Sequence, residues 1–198
     1  MYELSNAVHY HFDALADHYN LECTKSSEWE VRFQNSKVFL QVLFDSGRSF
    51  EIGVEIGQIP AMGVLERPFN LAEILRLQKS PDASYIANLE ASQPKVQRHI
   101  IARLAELTKK YAGQLLDGDK QAFLILSKFR DRECEEYALA RDLRYARRDA
   151  ESAWLKKDYF GVINIYKSLK TVLTPVEKRR LEFAEKHIEQ SPNDLRKL

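Results

Sequence analysis

The chain has 198 residues, 44% of them hydrophobic and 30% charged, with a formal net charge of +1. That size and balance suit one large domain or two small ones, with enough core to fold without disulfides or a structural metal. The near-zero charge gives no global field to recruit nucleic acid or an anionic surface, and no apolar window is long enough to span a bilayer.

The charge is unevenly spread. Residues 1–80 carry 11 acidic and 7 basic side chains, net −4, whereas residues 81–198 carry 18 acidic and 23 basic, net +5. The two halves are therefore expected to behave as electrostatically different objects, an α+β sheet region over 1–80 and a helical region over 81–198, packed separately or as one domain. Cys23 and Cys134 form neither a disulfide framework nor a CxxC pair, which predicts two reduced, buried thiols. The start Met1-Tyr2-Glu3-Leu4-Ser5 lacks a basic stretch followed by an apolar run, so a cytoplasmic location is expected.

In chain order, Val8, Phe12, Leu15 and Tyr19 fall at helical spacing, with Ser5 able to cap the start and Asn20 to end the segment. Three extended segments follow. Trp29, Val31 and Phe33 alternate with polar residues, residues 38–44 are apolar on both faces, and Phe50, Ile52, Val54 and Ile56 alternate again. Turn chemistry at Asn35-Ser36 and Asp45-Ser46-Gly47-Arg48 joins them into an antiparallel meander, to which 21–24 adds a candidate fourth strand. Residues 57–69 contain Pro60, Gly63 and Pro68 and read as an irregular, candidate functional loop.

Helix signals dominate the remainder. Asn70-Leu-Ala-Glu73 has the residues of a capping box, Ser80-Pro81 opens a short helix, and Ser92-Gln-Pro94 opens a longer one with Val96, Ile100, Leu104, Leu107, Tyr111 and Leu115 on one stripe. From Asp119 to Asp158 there is neither Gly nor Pro, which predicts one long helix or two nearly collinear ones, roughly 60 Å long at ~1.5 Å per residue. Asp158 can cap a helix carrying Val162, Tyr166, Leu169 and Leu173, and Thr174-Pro-Val-Glu177 is a capping box with Pro at the first helical position. Residues 193–198 form a polar tail expected to fray.

The stretch Ala153-Trp-Leu-Lys-Lys-Asp-Tyr-Phe-Gly-Val-Ile-Asn-Ile-Tyr166, followed by Leu173-Thr-Pro, resembles one hairpin of a tetratricopeptide-type helical repeat, covering about residues 150–188. An acidic αβββ start, a helical middle and an ending with Asp158-Tyr159, Val162-Ile163, Tyr166 and Glu177-Lys-Arg-Arg-Leu181-Glu-Phe-Ala184 resembles small bacterial immunity proteins, which neutralise toxins by binding them. This resemblance implies a binding protein and assigns no role to any residue.

Candidate chemistry is sparse. No Ser or Cys sits in a nucleophile elbow, no phosphate loop is present, and no cofactor motif appears. His9, His11, His18 and His99 lack partners at metal-ligand spacing, so no metal site is expected. Glu133, Glu135 and Glu136 spread over different helix faces and read as a solvated surface. Arg141, Arg144 and Arg148 make a basic stripe beside Tyr145 that suits RNA phosphates or stacked bases. Nearby acids and the lack of a nucleic-acid motif favour a structural role for it. Glu30, Glu51 and Glu55 fall on the outer face of the meander around Phe39 and Leu43, as a surface for a basic partner would be arranged.

The sequence thus reads as an α+β protein: a helix and a small antiparallel meander, then a helical bundle ending in a repeat-like hairpin. The expected function is non-enzymatic binding of another protein, as an immunity protein would cover a basic toxin domain. Glu30, Phe39, Leu43, Glu51 and Glu55 would make the contact. The alternative is a nucleic-acid-associated protein that uses the arginine stripe.

Overall fold

The computed structural model describes residues 3–86, 89–169 and 172–190. The elements run α1 (Glu3–His18), β1 (Glu22–Ser26), β2 (Glu30–Gln34), β3 (Val38–Phe44), β4 (Ile52–Gln58), β5 (Phe69–Asn70), α2 (Leu71–Leu77), α3 (Ala83–Ile86), α4 (Pro94–Tyr111), α5 (Gly113–Leu116), α6 (Lys120–Leu155), α7 (Tyr159–Ser168) and α8 (Pro175–Gln190). The fold is α+β. Its sheet is antiparallel throughout, with strand order β1-β2-β3-β4-β5. The expected fraying tail lies outside the described residues.

The chain divides into two compact units, Met1–Asp131 and Arg132–Leu198, with the division inside α6. The boundary expected near residue 80 is therefore displaced, for a physical reason. Ile100, Ile101, Leu104, Leu107, Leu116, Phe123 and Leu126 share one core with the sheet, so the helices after residue 80 complete the burial of its inner face. Register puts Val31 opposite Val42 and Val42 opposite Val54, with Phe33, Leu40 and Ile56 in the next row. Alternation sends this set to one face, and Val8, Phe12 and Leu15 of α1 join it in the same core.

Several local expectations hold. Asn70 and Glu73 exchange both bonds of a capping box, at 2.9 Å each. Asn20 ends α1 with a left-handed φ of 53°. Others need correction. Ser5 lies inside α1, buried, with its hydroxyl 2.6 Å from that of Ser26, so it ties the helix to β1 and does not cap. Phe69, expected at the end of the loop, and the helix cap Asn70 pair with β4 as β5. Both thiols are exposed: Cys23 lies on β1, whose five residues all face solvent, and Cys134 on a solvated stretch of α6.

The second unit is built from the part of α6 after Asp131 with α7 and α8. Ala150, Ala153, Val162, Ile163, Tyr166 and Ala184 form a core of their own, which closes α7 and α8 into the expected helical hairpin. The Asp158 carboxylate accepts from the Gly161 N–H at 2.8 Å and starts α7. At α8 the Glu177 carboxylate accepts from the Thr174 N–H at 2.6 Å, and the Thr174 hydroxyl accepts from the Glu177 N–H at 3.3 Å.

Candidate functional site

The outer sheet face, where an acid-ringed apolar patch was expected, is largely closed. Phe39 is 0% exposed, because the guanidinium of Arg32 lies over its ring at 3.9 Å from the centroid. Arg32 in turn donates to both carboxylate oxygens of Glu66, at 2.9 and 2.7 Å, and to Gln34 at 3.0 Å. Phe39 is thus core material and cannot serve as an anchor for a partner. The carboxylates are also partly engaged. Glu30 pairs with Lys25 at 2.5 Å, and Glu55 accepts from the Gln41 amide at 2.6 Å. Glu51 stays exposed and Leu43 half-exposed. Both line a cleft of about 400 Å³, with Asp45, Asn70 and Arg76 among its other walls.

The loop of residues 59–68 meets this face through the Arg32–Glu66 pair. It is fastened at several points. The Ile59 N–H donates to the Lys37 carbonyl at 2.8 Å, and Val64 N–H to the Ala61 carbonyl at 3.0 Å, around Gly63 with φ +84°. Glu66 is held by Arg32, whose hydrogen bonds keep the Glu66 carboxyl below its ordinary range despite some desolvation. At the far end Arg130 donates to the Pro68 carbonyl at 2.6 Å and to the two Glu73 oxygens at 2.5 and 2.7 Å, with its guanidinium 3.9 Å from the Phe69 ring centroid. Two arginine-on-phenylalanine clasps thus brace this loop. Yet its tip is left in solvent: Met62 is fully exposed, Leu65 is 86% exposed and Val64 61%.

Beside the loop lies a cleft of about 1250 Å³. Its walls are Ile59, Val64, Leu65 and Arg67 from the loop, Lys37 from the β2–β3 turn, Phe69, and Gly118, Lys120 and Phe123 around the start of α6. Among the described residues, no Asp or Glu lines it. Residues 57–69 stand out in the sequence as a candidate functional loop, but its basic neighbours do not. Lys37, Arg67 and Lys120 are far apart in sequence and meet only in the fold.

On the second unit the arginine stripe is exposed. Arg144 and Arg148 flank the Tyr145 ring at 5.6 and 5.3 Å from its centroid. Arg141 and Arg148 each bond to the adjacent aspartate, Asp142 and Asp149, at 3.0–3.1 Å. Such solvated pairs contribute little stability, and they offset much of the stripe's positive potential. Arg147, beside the stripe, is structural: it bonds Glu177 at 2.8 Å and the Val172 carbonyl at 3.0 Å.

A polar cluster unforeseen in the sequence joins the turn after α2 to α4. The Ser80 hydroxyl lies 3.1 Å from the Tyr111 hydroxyl, and Asp82 pairs with Arg103 at 2.9 Å. Bonds from Lys110 and Ser80 hold the Tyr111 phenol below its ordinary value. Ser80, Asp82 and Tyr111 line neither cleft, and the cluster acts as a brace. His9 bonds Asp13 at 2.8 Å and Ser26 at 3.2 Å. Among the described residues no three His, Cys, Asp or Glu side chains gather to share a metal ion. No helix among them is long and apolar enough to cross a membrane.

No protein-family model, curated protein or solved structure matches this chain.

Proposed function

We propose that the protein acts without catalysis, by binding another protein through the loop of residues 59–68. The observation that carries this reading is the pairing of a braced backbone with an exposed apolar tip, Met62, Val64 and Leu65. Exposed apolar groups stabilise nothing in the free chain, and two arginine clasps are a large investment for a loop with no work to do. Holding the tip in one shape removes ordering cost at the moment of association, as an interface anchor requires. Leu43 and Glu51, at the smaller cleft, are what remains of the acidic face for basic groups of the same partner.

The resemblance to immunity proteins suggests a toxin as that partner, and a cytoplasmic site of action. The test is to co-express the chain with the toxin-like gene nearest to its own and to measure growth and direct binding. Protection and binding should be lost in the variant Met62→Asp with Leu65→Asp, at unchanged thermal midpoint. A variant that protects and binds as well as the parent would move the contact off the loop.

A further inference from the structure

We propose that the larger cleft takes an acidic, apolar-bearing peptide segment of the partner; this rests on the loop being the binding element and adds the partner's chemistry. Three observations converge on it. Lys37, Arg67 and Lys120 put three exposed cations on the cleft, and none of them makes an ion pair among the described residues. No carboxylate among the described residues stands on its walls to offset them. Beside the cations the walls carry apolar Ile59, Leu65, Phe69 and Phe123, with Ser36 and Gln58 as further polar lining.

Charge and shape together select the occupant. Three uncompensated cations favour carboxylates and repel a basic segment. The apolar walls reward an occupant that also brings aliphatic or aromatic side chains. At about 1250 Å³ the cleft exceeds the ~300–1000 Å³ usual for small molecules and suits a stretch of chain. The stem of Lys37 runs close past Gly118. A side-chain carbon at Gly118 would come 3.2–3.3 Å from the Lys37 stem, so the glycine, at φ +78°, lets that stem lie close against the turn. The segment would thus place its acids against Lys37, Arg67 and Lys120 and its apolar groups along the loop, continuous with Leu65 at the exposed tip.

The probe is an array of random dodecamer peptides incubated with the full chain. Retained peptides should be enriched in Asp and Glu together with Leu, Ile or Phe. Their affinity should fall ~10-fold in Lys37→Glu with Lys120→Glu, and severalfold between about 50 and about 300 mM salt, at unchanged thermal midpoint. Enrichment in Lys or Arg, no enrichment, or enrichment that survives the double reversal would overturn the proposal. So would stronger binding to vesicles one-third phosphatidylserine, or to a single-stranded oligonucleotide, competed away by neither peptide class. If Met62→Asp with Leu65→Asp abolishes partner binding while the charge reversal leaves it intact, the loop stands as the contact and the acidic segment falls.

Discussion

Arg32 and Phe39 lie on neighbouring strands with the guanidinium 3.9 Å from the ring centroid, and this stack goes with the full burial of a residue that reads as a surface anchor. Burial there is tight. A side-chain carbon on Gly57 would come within 2.5 Å of the Phe39 ring. Phe39→Ala should therefore cost ~3–5 kcal/mol, as deletion of a buried ring does. Gly57→Ala should cost ~1–3 kcal/mol through overpacking. Urea unfolding of both variants measures this. A neutral Phe39→Ala would mean the stack contributes nothing and the face is open.

The second clasp differs in kind. Glu73 is buried and accepts two bonds from Arg130 as well as one from the Asn70 N–H. Removing Arg130 leaves that carboxylate without its charge partner, so Arg130→Ala should destabilise by ~3–5 kcal/mol. The same variant frees the Pro68 carbonyl, so limited proteolysis should cut within 59–68 faster than in the parent. Equal cutting rates would show that the loop is held by its other fastenings alone.

At α8, Thr174→Ala should cost about 1 kcal/mol by thermal unfolding, since it removes one half of the capping box. The other half titrates. Desolvation pushes the Glu177 carboxyl up, but bonds from the Thr174 backbone and hydroxyl and from Arg147 outweigh it and hold the group below its ordinary value. The folded chain thus binds this proton less tightly than the unfolded one. Its contribution is present at neutral pH, and is lost as pH falls from the ordinary glutamate range through the lower folded value. Glu177→Gln should flatten the acid-side loss of stability in that window; an unchanged acid limb would assign the loss to other carboxylates.

Much of this architecture is legible locally. The Gly- and Pro-free run gives α6, and the boxes at Asn70–Glu73 and Thr174–Glu177 mark helix starts because each is closed within four residues. The strand alternation also places Phe39 and Leu43 on the face opposite Val42. What alternation cannot carry is the identity of the cover. Arg32 meets Glu66 and Arg130 meets Glu73 across 34 and 57 residues, and no periodicity links such positions. The same distance hides the cleft, whose three cations come from a turn, a loop and a helix start. The two-residue β5 is masked by the prolines and glycine before it, and Ser5 reads as a cap because its partner Ser26 lies on another element.

The most direct measurement places a photo-crosslinking residue at position 62, and separately at position 145, in the otherwise intact chain within its own cells. The account predicts one discrete protein adduct from position 62 and none from position 145, where Arg144 and Arg148 flank an exposed ring. No adduct from position 62, together with a nuclease-sensitive adduct from position 145, would contradict it and assign function to the arginine stripe.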